Sequence, residues 1–150
     1  MQTGPVQIVI HGHHLPGMWS RNVGVPIHNV HAGVQVGQDV EQLVRGDAAS
    51  ATWTVEVKVV AVGDAYDFRG PAVHGRKGER FLYIAWGDVG ATGTFAMFRR
   101  AKLMLDDVDS SLIAKALAAD KPLQARIHLT DDHGGPRCAR VGSDALRWSV

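Results

Sequence analysis

The sequence predicts a mostly β domain: an antiparallel barrel or curled two-layer sheet with one covering helix near residues 109–119. Three observations carry this. The stretch "ATWTVEVKVVAV", residues 51–62, alternates apolar and polar residues, the period-two mark of a strand with one solvated face. The other apolar runs are short and joined by Gly, Pro and Asp turns, which suit antiparallel pairs; parallel pairs need crossovers of about a dozen residues. One segment, "DVDSSLIAKALAAD", carries a helical stripe behind a capping residue.

In chain order, "VQIVIH" (Val6–His11) is β-branched and reads as a first strand, ended by Gly12, Pro16 and Gly17. A second strand is expected over Val30–Val36, with Gly33 marking a bulge or a close approach of backbone. The polar run "QDVEQLVRGDAAS" reads as a turn with a short helical piece. In the third strand Trp53, Val55, Val57 and Val59 share one face. "GDAYDFRGPAVHGRKGE" (Gly63–Glu79) reads as a long loop. "RFLYIAWG" follows, apolar on both faces and therefore central in its sheet. "DVGATG" is a hairpin turn. "TFAMFRRAKLML" suits either period; its place after a tight turn, and the spacing of Phe95, Met97, Ala101, Leu103 and Leu105, favour strand. The helix is capped by Asp109 or Ser110, with Leu112, Ile113, Ala116 and Leu117 on its apolar stripe. "LQARIHLTD" alternates again, and "CARVG" and "LRWSV" supply one or two closing strands.

At 150 residues the chain is read as a single domain, 1–150, long enough to fold without disulfides. An apolar fraction of 45% and a charged fraction of 21% fit a globular protein. The net charge of +1 argues against nucleic acid as a partner. One cysteine, no leader-like opening and no membrane-length apolar run lead to the expectation of a cytoplasmic protein without membrane attachment. Abundant Ala, Val, Gly, Arg and Asp suggest a GC-rich bacterial genome.

Four pieces, "NVHAGVQ" (29–35), "FRGPAVHGRKGERFLYIAWG" (68–87), "FAMFRRAKLML" (95–105) and "DDHGGPRCARV" (131–141), are together similar to an uncharacterised family of actinobacteria and other bacteria, domain-of-unknown-function family 5990. The resemblance runs from about Val6 to Trp148. It implies a small stand-alone bacterial domain and no particular reaction, cofactor or catalytic residue.

The candidate site residues come from the sequence itself. His11, His13 and His14 lie where the first strand meets its turn, and His28 and His31 could join them. Solvated turn histidines are the preferred reading, because no Cys pair and no His-Glu-x-x-His helix accompanies them; no metal and no cofactor is expected. Arg69, His74, Arg76, Lys77 and Arg80 bring cations to one glycine-rich loop that lacks the phosphate-loop ending, read either as an anion-binding loop or as a solvated one. Arg99 and Arg100 point to opposite faces of their strand, where a buried one needs a carboxylate or an anion. Cys138, flanked by arginines, reads as a small buried residue rather than a nucleophile. Trp19, Trp53, Tyr83, Trp86 and Trp148 supply a core or an aromatic-lined cavity.

The resulting expectation is a small-molecule site. His11, His13, His14 and Tyr83 would serve as acid–base groups. Arg69, His74, Arg76, Arg80, Trp86 and Arg99 would bind a small organic, anionic or aromatic ligand. On this reading Arg80→Ala weakens binding more than it lowers the melting temperature. The alternative is a non-catalytic module that recognises protein or nucleic acid through loop 69–80. A homodimer is compatible with either.

Overall fold

In a computed structural model the described residues are 2–13, 30–45, 48, 50–128, 139–140 and 146–150. Among them are ten strands and one helix. In chain order these are β1 (Gly4–His13), β2 (Val30–Val36), β3 (Asp39–Arg45), β4 (Ser50–Val62), β5 (Ala65–Arg69), β6 (Phe81–Val89), β7 (Phe95–Met104), α1 (Ser110–Ala119), β8 (Leu123–His128), β9 (Ala139–Arg140) and β10 (Leu146–Ser149). The first sheet has the order β10-β8-β1-β4-β5 and the second the order β3-β2-β6-β7-β9.

The fold is mostly β, as the alternation predicts, and the inward faces of both sheets share one apolar cluster. Ala51, Trp53, Val55, Val57 and Val59 of β4 are buried, with exposed residues between them. Leu82, Ile84 and Trp86 of the central strand β6 and Ala101 and Leu103 of β7 meet them from the second sheet. The helix spans Ser110–Ala119; Asp109 caps it by accepting the Ser111 N–H at 2.9 Å, and Ile113, Ala116 and Leu117 are buried.

Several local expectations are corrected. The pairing is not wholly antiparallel: β8 runs parallel to β1 and β9 parallel to β7. Each pair joins strands far apart in sequence, so chain length permits it. The run after Gln38 is strand β3, with no helical turn in its described residues. Its signal was weak because only Val40 and Val44 are half-buried on an otherwise exposed edge. Gly33 does face a bulge: the register shifts between Ala32 and Val34, and a Cβ there would strike the Glu41 carbonyl and lie 2.8 Å from Val40 Cγ1. Gly12, by contrast, does not end β1; the strand runs from Gly4 to His13 and its pairing with β4 is continuous through His13.

The expected long loop is in part a hairpin. Val62 pairs with Ala65 around Gly63 and Asp64, and β5 returns along β4 as far as Lys58↔Arg69. Residues 70–80 then cross from the first sheet to the second. They are pinned rather than loose. Gly37 N–H donates to the Pro71 carbonyl at 2.8 Å, and Val73 N–H to the Gly70 carbonyl at 3.0 Å. His74 and Phe81 exchange both backbone hydrogen bonds.

Candidate functional site: an open strand edge beneath Arg69

β5 is shorter than the strand it borders. It pairs with β4 over Lys58–Val62, and among the described residues no strand neighbours the β4 edge before Lys58. At Thr54 a side chain fills the gap. Gln42 Nε2 donates to the Thr54 carbonyl at 2.7 Å, and the Thr54 N–H donates to Gln42 Oε1 at 3.0 Å. The carboxamide thus occupies the place of a strand peptide. The Trp53 indole N–H donates to the Gln42 carbonyl at 3.0 Å, and Gln42 holds a left-handed φ of 56° at the β3 bulge.

These bonds set the direction of the next peptide. Thr54 turns its N–H and C=O away from β1, and antiparallel strands alternate in this respect. Glu56, two residues on in the unbroken β1–β4 register, therefore turns its own N–H and C=O to the same edge, where the Gly70 backbone runs close by: a Cβ on Gly70 would lie 3.4 Å from the Glu56 carbonyl oxygen. In continued register the residue facing Glu56 would be Pro71. Proline has no N–H to give, and its carbonyl is bonded to Gly37 instead.

A cavity of about 490 Å³ lies over this edge, lined by Pro5, Val36, residues 41–42, 54–58 and 69–72. That is a size typical of small-molecule sites. Val36, Val55, Val57, Pro71 and Ala72 supply apolar surface. Charges divide along it: Glu41 lies toward the Thr54 end, Glu56 in the middle, and Lys58 and Arg69 at the far end.

Arg69 and Arg80 share one carboxylate. Asp67 is 1% exposed. It accepts Arg80 Nε at 3.1 Å and Nη2 at 3.3 Å, and Arg69 Nε at 3.3 Å. Burial pushes the Asp67 carboxyl up, but hydrogen bonds from Arg80, the Phe68 N–H and Arg69 outweigh it and leave the pKa below the usual carboxylate range. Arg80 Nη1 also donates to the Gly75 carbonyl at 2.6 Å, and its backbone N–H to Asp106 at 3.0 Å. Arg80 therefore grips an anion, and that anion is Asp67. Arg69 is 59% exposed, and among the described residues its Nη groups have no partner.

The model of a family of unknown function, DUF5990, matches residues 6–150. The chain belongs to DUF5990. No curated protein matches it, and no solved structure does. The family match takes in both sheets and every residue lining the cavity except Pro5.

Elsewhere in this DUF5990 chain, His74 and Tyr83 meet on the outer face of the second sheet. Their rings are 4.8 Å apart, and Phe81 packs edge-on to Tyr83 at 4.8 Å. The Arg100 guanidinium lies 4.3 Å over Tyr83 and Lys102 Nζ 4.5 Å over Phe81. Buried Gln35 ties this face together: its carbonyl accepts from His74 Nε2 at 3.3 Å, and its Oε1 from Arg100 Nη1 at 3.4 Å. The cluster anchors the crossover; it is not part of the cavity.

The expected site residues are thus dispersed. Arg69 lines the cavity. Arg80 is spent on Asp67, and Arg76 pairs with Glu79 at 3.4 Å on the surface. Trp86, 1% exposed, lies in the core because alternation puts it on the inner face with Leu82 and Ile84. His11 hydrogen-bonds Gln124 at 3.0 Å and faces Thr52, two residues from the cavity-lining Thr54, but does not itself line the cavity. His14, His28, Trp19 and Cys138, and the side chains of His13 and Arg99, lie outside the described residues. Among the described residues no group of three or more His, Cys, Asp or Glu gathers to hold a metal, and no helix is long and apolar enough to cross a membrane. Sequence reasoning missed Gln42, Glu56 and Lys58. A carboxamide in the β3 segment carries no motif, and an open edge depends on the relative lengths of neighbouring strands.

Proposed function

We propose that this chain is a small-molecule-binding domain whose ligand lies in the β4-edge cavity with an anionic group against Arg69 and Lys58. One observation carries the reading: a cavity of about 490 Å³ with apolar walls lies beside an arginine whose outer guanidinium nitrogens are uncommitted among the described residues. Arginine offers two parallel N–H donors to a carboxylate, and the valines and proline exclude water from the contact. Binding, rather than turnover, is the activity proposed. Among the described residues the cavity lining contains no histidine, tyrosine or cysteine, and the acid–base candidates His74 and Tyr83 lie on another face. A bacterial cytoplasmic setting in specialised metabolism belongs to this reading; the single cysteine and the resemblance described above support it.

The reading as a module docking through its basic loop draws less support. Arg80 and Arg76 are paired within loop 69–80, so two of its four Lys and Arg side chains are already committed to carboxylates of the same chain.

The test is a set of small carboxylic acids titrated into the ¹⁵N-labelled protein at constant ionic strength. Shift changes are expected to cluster at Val57, Lys58, Arg69 and Gly70. Changes clustered around His74 and Tyr83, or none at all, would sink the proposal.

A further inference from the structure

We infer that the outer face of the second sheet binds single-stranded nucleic acid, with phosphates on Arg100 and Lys102 and bases against the His74 ring and the Arg100 guanidinium. This goes beyond the cavity reading above and concerns a different face.

The alternation that sends Leu82, Ile84 and Trp86 into the core sends Phe81 and Tyr83 outward. On a sheet face that meets water, such positions are ordinarily polar. Here they are aromatic and only half-buried. The crossover adds a third ring. His74 bridges to Phe81, and its ring lies 4.8 Å from that of Tyr83 and 6.0 Å from that of Phe81. The helix covers none of this, because it packs against β1 and β8 in the other sheet.

Cations lie over the rings. β7 sets Lys102 opposite Tyr83 and Arg100 opposite Ala85. Each leans one row along, Lys102 over Phe81 and Arg100 over Tyr83. β9 sets a further arginine, Arg140, opposite Lys102 in the register. Among the described residues neither Arg100 nor Lys102 pairs with a carboxylate, and Arg100 hydrogen-bonds only the neutral Gln35 carboxamide. Arg80 and Arg76 differ, since Asp67 and Glu79 take up their charge. The net charge of +1 is an average over the chain and does not describe this face.

The ligand class follows from the pairing of charge with rings. Arg100 and Lys102 are two residues apart on an extended strand, about 6.6 Å along it. That suits an anion with repeated charges better than a single carboxylate. A guanidinium serves twice: its edge donates to a phosphate while its plane carries a base. Single strands are held in this way, on aromatic and arginine planes along a basic track. A duplex keeps its bases stacked on one another and leaves the rings unused.

The experiment measures fluorescence anisotropy of labelled thymidine DNA and uridine RNA strands, about eight nucleotides long. Competitors are the abasic strand of equal length, a duplex and thymidine monophosphate. At least one labelled strand is expected to bind with a Kd in the range of about 1–100 μM at low salt. The abasic strand, the duplex and the monophosphate are expected to bind about tenfold or more weakly. Lys102→Gln and Arg100→Gln are each expected to flatten the slope of log K against log salt by about 0.7, a change that a purely structural role would not produce. In the ¹⁵N-labelled protein the shifts are expected at Tyr83, Arg100 and Lys102. The inference is overturned if neither strand binds, if the abasic strand, the duplex or the monophosphate binds as tightly, or if both variants keep the wild-type slope. Shifts at Val57 and Arg69 in place of Tyr83 and Arg100 also overturn it. Carboxylic acids moving Arg69 bear only on the cavity, so the two readings fail separately.

Discussion

The two ends of the crossover from β5 to β6 begin with the same chemistry and finish with different roles. Each end carries an arginine, and both arginines reach Asp67. Arg80 is 20% exposed, grips the carboxylate with two nitrogens and gives a third to the Gly75 carbonyl. Arg69 is 59% exposed and gives Asp67 its Nε alone. The first is a buried clamp between the hairpin and the second sheet. The second keeps its charged tip at the rim of a cavity. Residue type therefore does not assign a role here. The deciding factors are the depth of the guanidinium and the number of donors already taken.

The largest expected effect follows from the clamp. Arg80→Ala leaves Asp67 buried with only Arg69 Nε and the Phe68 N–H and is expected to cost about 3 kcal/mol of stability in denaturant unfolding. A loss below about 1 kcal/mol would show that the two ends do not differ. Adding a methyl group where there is no room for one tests the same region from the other side. Gly75 has φ 81°, and a Cβ on it would strike the Glu79 carbonyl and come within 2.8 Å of the Phe81 ring. Gly75→Ala is expected to cost about 1–3 kcal/mol, read as a lower thermal midpoint. An unchanged midpoint would mean that the loop end around Arg80 is free to shift.

Acid should loosen the clamp in a defined direction. The folded pKa of Asp67 lies below its unfolded value of about 3.9. Its ionised form therefore contributes stability above that value, and the contribution is lost as pH falls through the lower folded value. Asp106 works in the opposite sense. Burial raises its pKa, so its contribution declines as pH rises through the carboxylate range. The discriminating quantity is the stability difference between the wild type and Asp67→Asn. That difference is expected to shrink as pH falls from about 6 to about 3. A difference that stays constant would remove Asp67 from the account. Arg69→Ala is the mildest change in stability. Its ion pair is mostly solvated, and a cost of less than about 1 kcal/mol is expected.

Much of the fold was legible because its strongest signals are local. The alternation around Trp53 placed one face of β4 in the core, and the two-sided apolarity of Phe81–Trp86 placed β6 at the centre of its sheet. Asp109 and the Leu112–Leu117 stripe located the helix. What failed was relational. β3 is an edge strand whose two half-buried valines give little pattern. The Gly63–Glu79 segment reads as loop because the β5 hairpin within it is only five residues long. Half of the cation cluster was also misread for a relational reason. Asp67 lies two residues before Arg69, yet its burial, which commits Arg80, follows from the register of β5 on β4. The edge at Glu56 is the hardest to foresee, since it arises from where β5 stops and from which side chain fills the rung at Thr54.

The contrast between Arg69 and Arg80 can be read in a single spectrum. The arginine Nε–H signals of the ¹⁵N-labelled protein, followed while propionate is added at constant ionic strength, report both guanidinium groups at once. The account expects the Arg69 signal to move saturably while the Arg80 signal, held on Asp67, stays in place and exchanges slowly with solvent. An Arg69 signal that does not move, or an Arg80 signal that moves and exchanges as Arg69 does, would contradict it.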